Sequence, residues 1–133
     1  MNDEYQWVAS QYTSKDELSE VERLLTQHPD DPVVLDRAAR AILPLVWSLA
    51  RKFEVKHRRD FPDLMVDDYI GSASVCLVRT LRGWRPDRGA SLLTFSHNCI
   101  YSTLRRFVKD TKRKKRLHGA YSLSHPLPFG DND

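Results

Sequence analysis

The sequence predicts an all-α protein, a compact bundle of about four helices. Apolar residues recur at intervals of three and four through most of the chain, and N-cap residues or prolines stand where these periodic segments begin. No segment shows the alternation of apolar and polar residues that marks a half-buried strand. We therefore expect helices that pack side by side around one apolar core, with the long ones antiparallel.

Capping residues mark the predicted starts of the first two helices. Residues 14–17, SKDE, have the form of a capping box and predict the start of a short amphipathic helix. Asp31 and Pro32 then supply an N-cap and a proline at the first helical position. The apolar stripe that follows predicts a long second helix that ends at about Phe53.

The middle of the chain contains two features that interrupt helices. Pro44 lies inside the second helix and removes one backbone donor, so we expect a kink or a break near Ala41. Residues 54–62, EVKHRRDFP, are polar and basic, which is typical of a connection. A third helix is expected between Leu64 and Trp84, with acidic residues near its positive end.

The rest of the chain is organised around the stretch from Trp84 to Phe107. Its first part, WRPDRG, predicts a sharp turn because proline fixes φ and glycine accepts a positive φ. Ser91 is a candidate N-cap for a last helix with one apolar face and one increasingly basic face. The periodicity ends after Arg116, and residues 121–133 have the composition of a linker or tail.

The charge is divided unevenly along the chain. Residues 1–36 contain nine acidic and two basic residues, whereas residues 105–116 contain eight basic residues and one acidic residue. The net charge of +3 therefore conceals a basic end. Such an asymmetry favours nucleic acid or another polyanion as the partner over a merely solvated tail.

Composition bounds the remaining possibilities. The 133 residues, 41% of them hydrophobic, suffice for one domain with a real core, and no apolar run is long enough to span a membrane. The acidic start lacks a secretory signal, so the expected compartment is the cytoplasm. Neither cysteine has metal-ligand spacing, and no residues form a plausible catalytic constellation. We expect a protein without cofactor or metal that is not an enzyme.

The order of these segments resembles region two of the housekeeping-related bacterial RNA polymerase sigma factors. The resemblance covers roughly residues 38–116. It is carried by Asp68-Tyr69-Ile70, by the turn WRPDRG at the family's spacing, and by Thr94-Phe95 before a basic extension. The tail SLSHPL at 122–127 also resembles the segment that opens the family's linker. The resemblance implies that the chain consists of three segments, which are an acidic N-terminal helical extension at 1–30, a region-two-like helical domain at 31–116 and a linker-like tail at 117–133.

The resemblance implies a module that docks on the clamp helices of the largest subunit of RNA polymerase core and captures the melted minus-ten promoter element. Phe95 stands where the family has its base-stacking tyrosine. The residues implied for DNA binding are Arg79, Arg88, Thr94, Phe95, Ser102, Arg105, Arg106 and Lys109. The residues implied for polymerase binding are Asp68, Gly71, Ser72, Ser74 and Val78.

The chain departs from the family pattern at three places. Gly71-Ser72-Ala73 replaces the family's Gln-Glu-Gly, Asn98 and Cys99 replace its paired tryptophans, and the helix-turn-helix region four does not follow. These changes fit a divergent, phage-encoded or split sigma factor whose upstream promoter contacts come from a second protein. Two alternatives stay open, a DNA-binding regulator that lost the polymerase contact and a clamp-binding inhibitor of the host polymerase. Phe95 itself is as compatible with the core as with base stacking.

Overall fold

The computed structural model describes residues 13–124, with side chains as far as residue 118. Over this range the protein is all-α, as predicted, and contains no strand. The elements are α1 (Lys15–Gln27), α2 (Pro32–His57), α3 (Val66–Val75), α4 (Leu77–Gly83), a 3-10 turn (Pro86–Arg88) and α5 (Leu92–Ser124). Within the same residues, none of the helices has the length and apolar character needed to cross a bilayer.

The predicted caps of the first two helices are confirmed. The Ser14 hydroxyl accepts a hydrogen bond from the Glu17 amide at 3.2 Å, and the Asp31 carboxylate accepts one from the Val33 amide at 2.9 Å. Each bond satisfies an amide that the helix itself leaves without a partner. Two local sequence signals are therefore sufficient to start α1 and α2.

A kink or a break was expected near Ala41; the break is absent, because α2 runs without interruption through Pro44 to His57. Pro44 deprives the Arg40 carbonyl of its helical donor, and Arg40 lies on the exposed side of α2. The expected end at Phe53 was also too early. The Glu54 side chain accepts hydrogen bonds from Arg51 and Arg58, one turn before and after it, and these pairs stabilise another turn of helix.

The third predicted helix is present but divided at Cys76. The Cys76 amide turns back to the Ala73 carbonyl at 3.3 Å, which is the spacing of a 3-10 bond rather than an α-helical one. The Cys76 thiol donates to the same carbonyl, and the Thr103 hydroxyl of α5 donates to the Cys76 sulfur at 3.3 Å. Side-chain bonds to α5 thus accompany the change of direction between α3 and α4.

The long helix α2 lies at the centre of the bundle and contacts α1, α3, α4 and α5. Its fully buried Ile42 and Val46 pack in one apolar cluster with Tyr69 of α3 and Leu104 of α5. Complete burial of such a side chain contributes about 1.5–3 kcal/mol. Val21 and Leu25 of α1 belong to the same cluster, so the acidic N-terminal helix packs into the bundle.

The last helix extends farther than the sequence indicated. It continues past Arg116 to Ser124, so residues 117–124 of the predicted tail are helical. The remaining residues of that tail, 125–133, and the first twelve residues of the acidic extension lie outside the described part of the chain. The basic run at 112–116 is consequently helical, with a rise of about 1.5 Å per residue.

Candidate nucleic-acid interface

The predicted sharp turn before α5 is confirmed and is held by side-chain to backbone hydrogen bonds. Gly89 ends the 3-10 turn with φ of 86°, a conformation that favours glycine. The Trp84 indole N–H donates to the Ala90 carbonyl at 3.0 Å, and the Arg85 guanidinium donates to the Arg82 carbonyl at 2.7 Å. These bonds fix the point at which the chain enters α5.

The first turn of α5 is capped twice. As predicted, Ser91 is the N-cap, and its hydroxyl accepts a hydrogen bond from the Thr94 amide at 3.2 Å. The Leu92 amide donates to the Glu22 carboxylate of α1 at 2.8 Å. This tertiary cap was missed, because nothing in the sequence links two residues that are 70 positions apart. Glu22 holds the start of α5, where Thr94 and Phe95 lie, against α1.

Phe95 packs against the core and is also partly exposed to solvent. Its ring is half-buried and packs against the edge of the apolar core. A Cβ added at Gly83 would meet the ring carbon Cζ of Phe95 at 3.8 Å, so the ring lies close to the end of α4. The ring is therefore anchored on one side while part of its surface reaches solvent, which is the arrangement that a stacking platform needs.

Most of the predicted DNA-binding residues share the solvent side of α5. Thr94 and Lys109 mark the two ends of this row, which are about 22 Å apart along the helix axis. The opposite side of the helix is buried. The row consists of Thr94, Phe95, Ser102, Arg105, Arg106 and Lys109, and every member except Phe95 is exposed.

The arginines of this row differ from those of the first two helices. All four arginines of α1 and α2 are ion-paired, with Arg37 of α2 joined to Glu17 of α1 at 2.7 Å. Arg105, Arg106 and Lys109 take part in none of the ion pairs found among residues 13–118. Their charge is thus available to a partner with phosphates.

Two predicted DNA-binding residues lie on other elements. Arg79 is exposed on α4, and Arg88 is exposed at the end of the 3-10 turn. Neither belongs to any ion pair within the described residues. They therefore add positive charge near the turn that leads into α5 without extending the row on that helix.

The residues predicted to bind polymerase lie on α3 and α4. Asp68 is exposed, but its carboxylate accepts a hydrogen bond from the Met65 amide at 2.7 Å and so caps α3. Ser74 and Gly71 are exposed, Ser72 is half-buried, and Val78 is 49% exposed.

An exposed valine was missed beside these residues. Val75 is 84% exposed at the last position of α3, four residues after Gly71, and this spacing places both residues on one side of α3. Val78 lies three residues farther on, in α4. That spacing was the available signal in the sequence. A small apolar patch without an intramolecular cover therefore lies at the junction of α3 and α4.

Charged groups cluster where α2 ends. Glu54 is buried, and the Arg58 guanidinium, which donates two hydrogen bonds to it, holds the pKa of its carboxyl below the usual range, with Arg51 contributing a third hydrogen bond. The pKa of His57 is lowered chiefly by burial and then by the positive charges of Lys112 and Lys56. This end of the bundle is consequently rich in positive potential from both α2 and α5.

Comparisons with known proteins leave the family open. The chain matches no model of a known protein family, and searches of curated proteins and of solved structures find no match. Within residues 13–118, no group of three histidine, cysteine, aspartate or glutamate side chains is placed to hold a metal ion. The geometry thus defines an all-α protein with an exposed, unpaired cationic helix face beside an anchored aromatic ring.

Proposed function

We propose that this protein is a sigma-like transcription initiation factor that binds RNA polymerase core and captures the melted minus-ten promoter element. In this proposal Phe95 stacks on an unpaired base while Arg105, Arg106 and Lys109 contact phosphates. Arg79, Arg88, Thr94 and Ser102 complete the surface. A base stacked on an aromatic ring contributes about 1–3 kcal/mol, which favours the open state of the promoter.

The observation that carries the proposal is the row of unpaired cations that follows the anchored Phe95 ring on α5. Phosphate contacts supply affinity but no sequence information, whereas an aromatic face is useful only to bases that have left the duplex. A surface that combines both suits a DNA segment whose strands have separated. The rigid turn at residues 84–91 and the Glu22 cap support the proposal, because they hold this surface in a fixed position.

The polymerase contact is assigned to the exposed patch on α3 and α4. Val75 and Val78 provide apolar area, and Gly71 provides open backbone to which a partner can approach closely. In this proposal Asp68, Ser72 and Ser74 surround that patch with polar groups. A second protein is expected to supply upstream promoter contacts.

The proposal is tested with core RNA polymerase from the source organism. The full chain should associate with the core, and the mixture should start transcripts at defined promoters that core alone does not use. Val75→Ser with Val78→Ser should weaken the association, whereas Val33→Ser, at an exposed valine on α2, should not. Absence of both association and promoter-dependent transcripts would refute the proposal.

A DNA-binding regulator without polymerase contact is the second candidate. It is favoured by the hydrogen bond from the Met65 amide to Asp68, which engages the one charged group of the predicted docking surface. This regulator would bind duplex DNA alone and ignore the polymerase. A clamp-binding inhibitor would instead bind the polymerase and only repress, so the same transcription assay separates the three functions.

A further inference from the structure

A series of aromatic rings runs between α2 and α5 on the flank of α5 away from Phe95. His97 and Tyr101 are stacked with ring centroids 6.0 Å apart and planes 9° apart, and both are exposed. Tyr101 meets Phe53 edge to face at 5.3 Å. Because Phe53 is buried, it supports the Tyr101 ring from below. The pair is therefore a supported aromatic platform at the surface.

The same flank of α5 ends in a basic groove of about 500 Å³. Phe61 forms its apolar floor, and Lys112, Lys115 and Arg116 surround it together with Asp60, the one acidic residue of the lining. The Lys115 ammonium donates to the Asp60 carbonyl at 2.7 Å and lies 5.6 Å from the centre of the Phe61 ring. These two contacts place the Lys115 ammonium at the edge of the groove, and holding it there lowers the entropic cost of using its charge for binding.

We propose that His97, Tyr101, Lys112, Lys115 and Arg116 form a single-strand-binding strip whose aromatic pair lies on a different side of α5 from Phe95, while Lys112 and Arg116 continue the line of Arg105 and Lys109. The strip extends about 28 Å along α5. In this proposal one base of a single strand stacks on the His97–Tyr101 pair, and the phosphates farther along the same strand lie in the basic groove. This inference goes beyond the proposed function, since it requires neither RNA polymerase nor a promoter sequence.

The charge of the groove and the exposure of the His97 and Tyr101 rings indicate which ligand binds the strip. Three cations against one acid favour a polyanion, and an exposed pair of ring faces favours unpaired bases, because a duplex hides the faces of its bases. An acidic peptide would satisfy the groove but would leave the aromatic platform unused. Single-stranded nucleic acid satisfies both parts of the strip.

The test measures binding of the full chain to a short fluorescent oligothymidylate and to a hairpin duplex at several salt concentrations. Tyr101→Leu should weaken oligothymidylate binding about 5- to 100-fold, and Tyr101→Phe should restore it because the ring remains. Replacement of Lys112, Lys115 and Arg116 by glutamine should lower the slope of log K against log salt by about 2, at about 0.7 for each phosphate contact. Thermal unfolding of each variant verifies that it is folded.

The matched charge control replaces Lys15, Arg23 and Arg40 by glutamine, which removes the same charge from α1 and α2. This control should keep the wild-type salt slope. The inference is overturned if the two triple variants behave alike, if Tyr101→Leu binds like wild type, or if polyglutamate competes as well as oligothymidylate. Failure to bind RNA polymerase, with these oligothymidylate effects intact, would refute the proposed function and leave the strip supported.

Discussion

Glu22→Ala should destabilise the fold by releasing the start of α5. In the wild type the Glu22 carboxylate accepts the Leu92 amide at 2.8 Å, and the substitution leaves that amide without its acceptor. Loss of a helix cap costs about 1 kcal/mol, and loss of a negative charge at a helix N-terminus costs about 0.5 kcal/mol more. The free energy of unfolding should therefore fall by about 1–2 kcal/mol, and the Tm by about 4–7 °C for a chain of this size.

The assay is urea unfolding followed by circular dichroism, with Glu20→Ala as the control. Glu20 lies on the same helix, but its carboxylate pairs only with Arg23 of that helix, so its removal should change stability much less. Amide exchange at Leu92 should accelerate in Glu22→Ala alone. If both variants unfold at the same urea concentration, the Glu22 carboxylate does not stabilise the start of α5, and the tertiary cap has no energetic role.

Three further predictions concern stability. Glu54→Gln should lower the unfolding free energy by about 1–3 kcal/mol, because the buried carboxylate accepts charged hydrogen bonds. Since the folded state depresses the pKa of Glu54, its contribution is present at neutral pH and declines as pH falls below about 4.3; acid unfolding of the variant should lack this component. The folded state also lowers the pKa of His57 and so favours its neutral ring, and the free energy of unfolding should therefore fall as pH decreases through about 6.5. His57→Gln should reduce this dependence of the unfolding free energy on pH, as measured by urea titrations at several pH values. Gly71→Ala should raise the unfolding free energy by about 0.5–1 kcal/mol, since a Cβ there meets nothing within 4 Å; a loss measured by urea unfolding would contradict the open space at this site.

The parts of the fold that local chemistry determines could be predicted from the sequence. Each of the three N-caps accepts a hydrogen bond from the amide two or three residues ahead, and such spacing is visible in a sequence; the caps are Ser14, Asp31 and Ser91. The solvent side of α5 could be predicted in the same way, from helical period alone. The break expected near Ala41 is absent because the loss of one backbone donor at Pro44 does not by itself end a helix that is packed along its length.

The contacts that depend on tertiary packing could not be predicted. The Glu22 cap joins residues 70 positions apart, and the Tyr101 platform depends on Phe53 from another helix. The same holds for the groove beside Phe61, where Lys115 meets a connection 55 positions earlier in the chain. A sequence gives the residue types of such a site, but the juxtaposition of its parts arises only when α2 and α5 pack together.

The two aromatic surfaces of α5 face different directions, and this difference can be measured. Phe95 and Tyr101 are six residues apart, which places them about 9 Å apart along the helix and about 120° apart around it. One strand that lies on one flank does not reach the other ring, whereas the two unpaired arms of a forked DNA supply a strand to each. Phe95→Leu and Tyr101→Leu should then weaken fork binding independently, so the double variant should show the product of the two fold-changes. If the double variant binds no more weakly than the worse single variant, the two rings compete for the same strand, and α5 presents one binding surface rather than two.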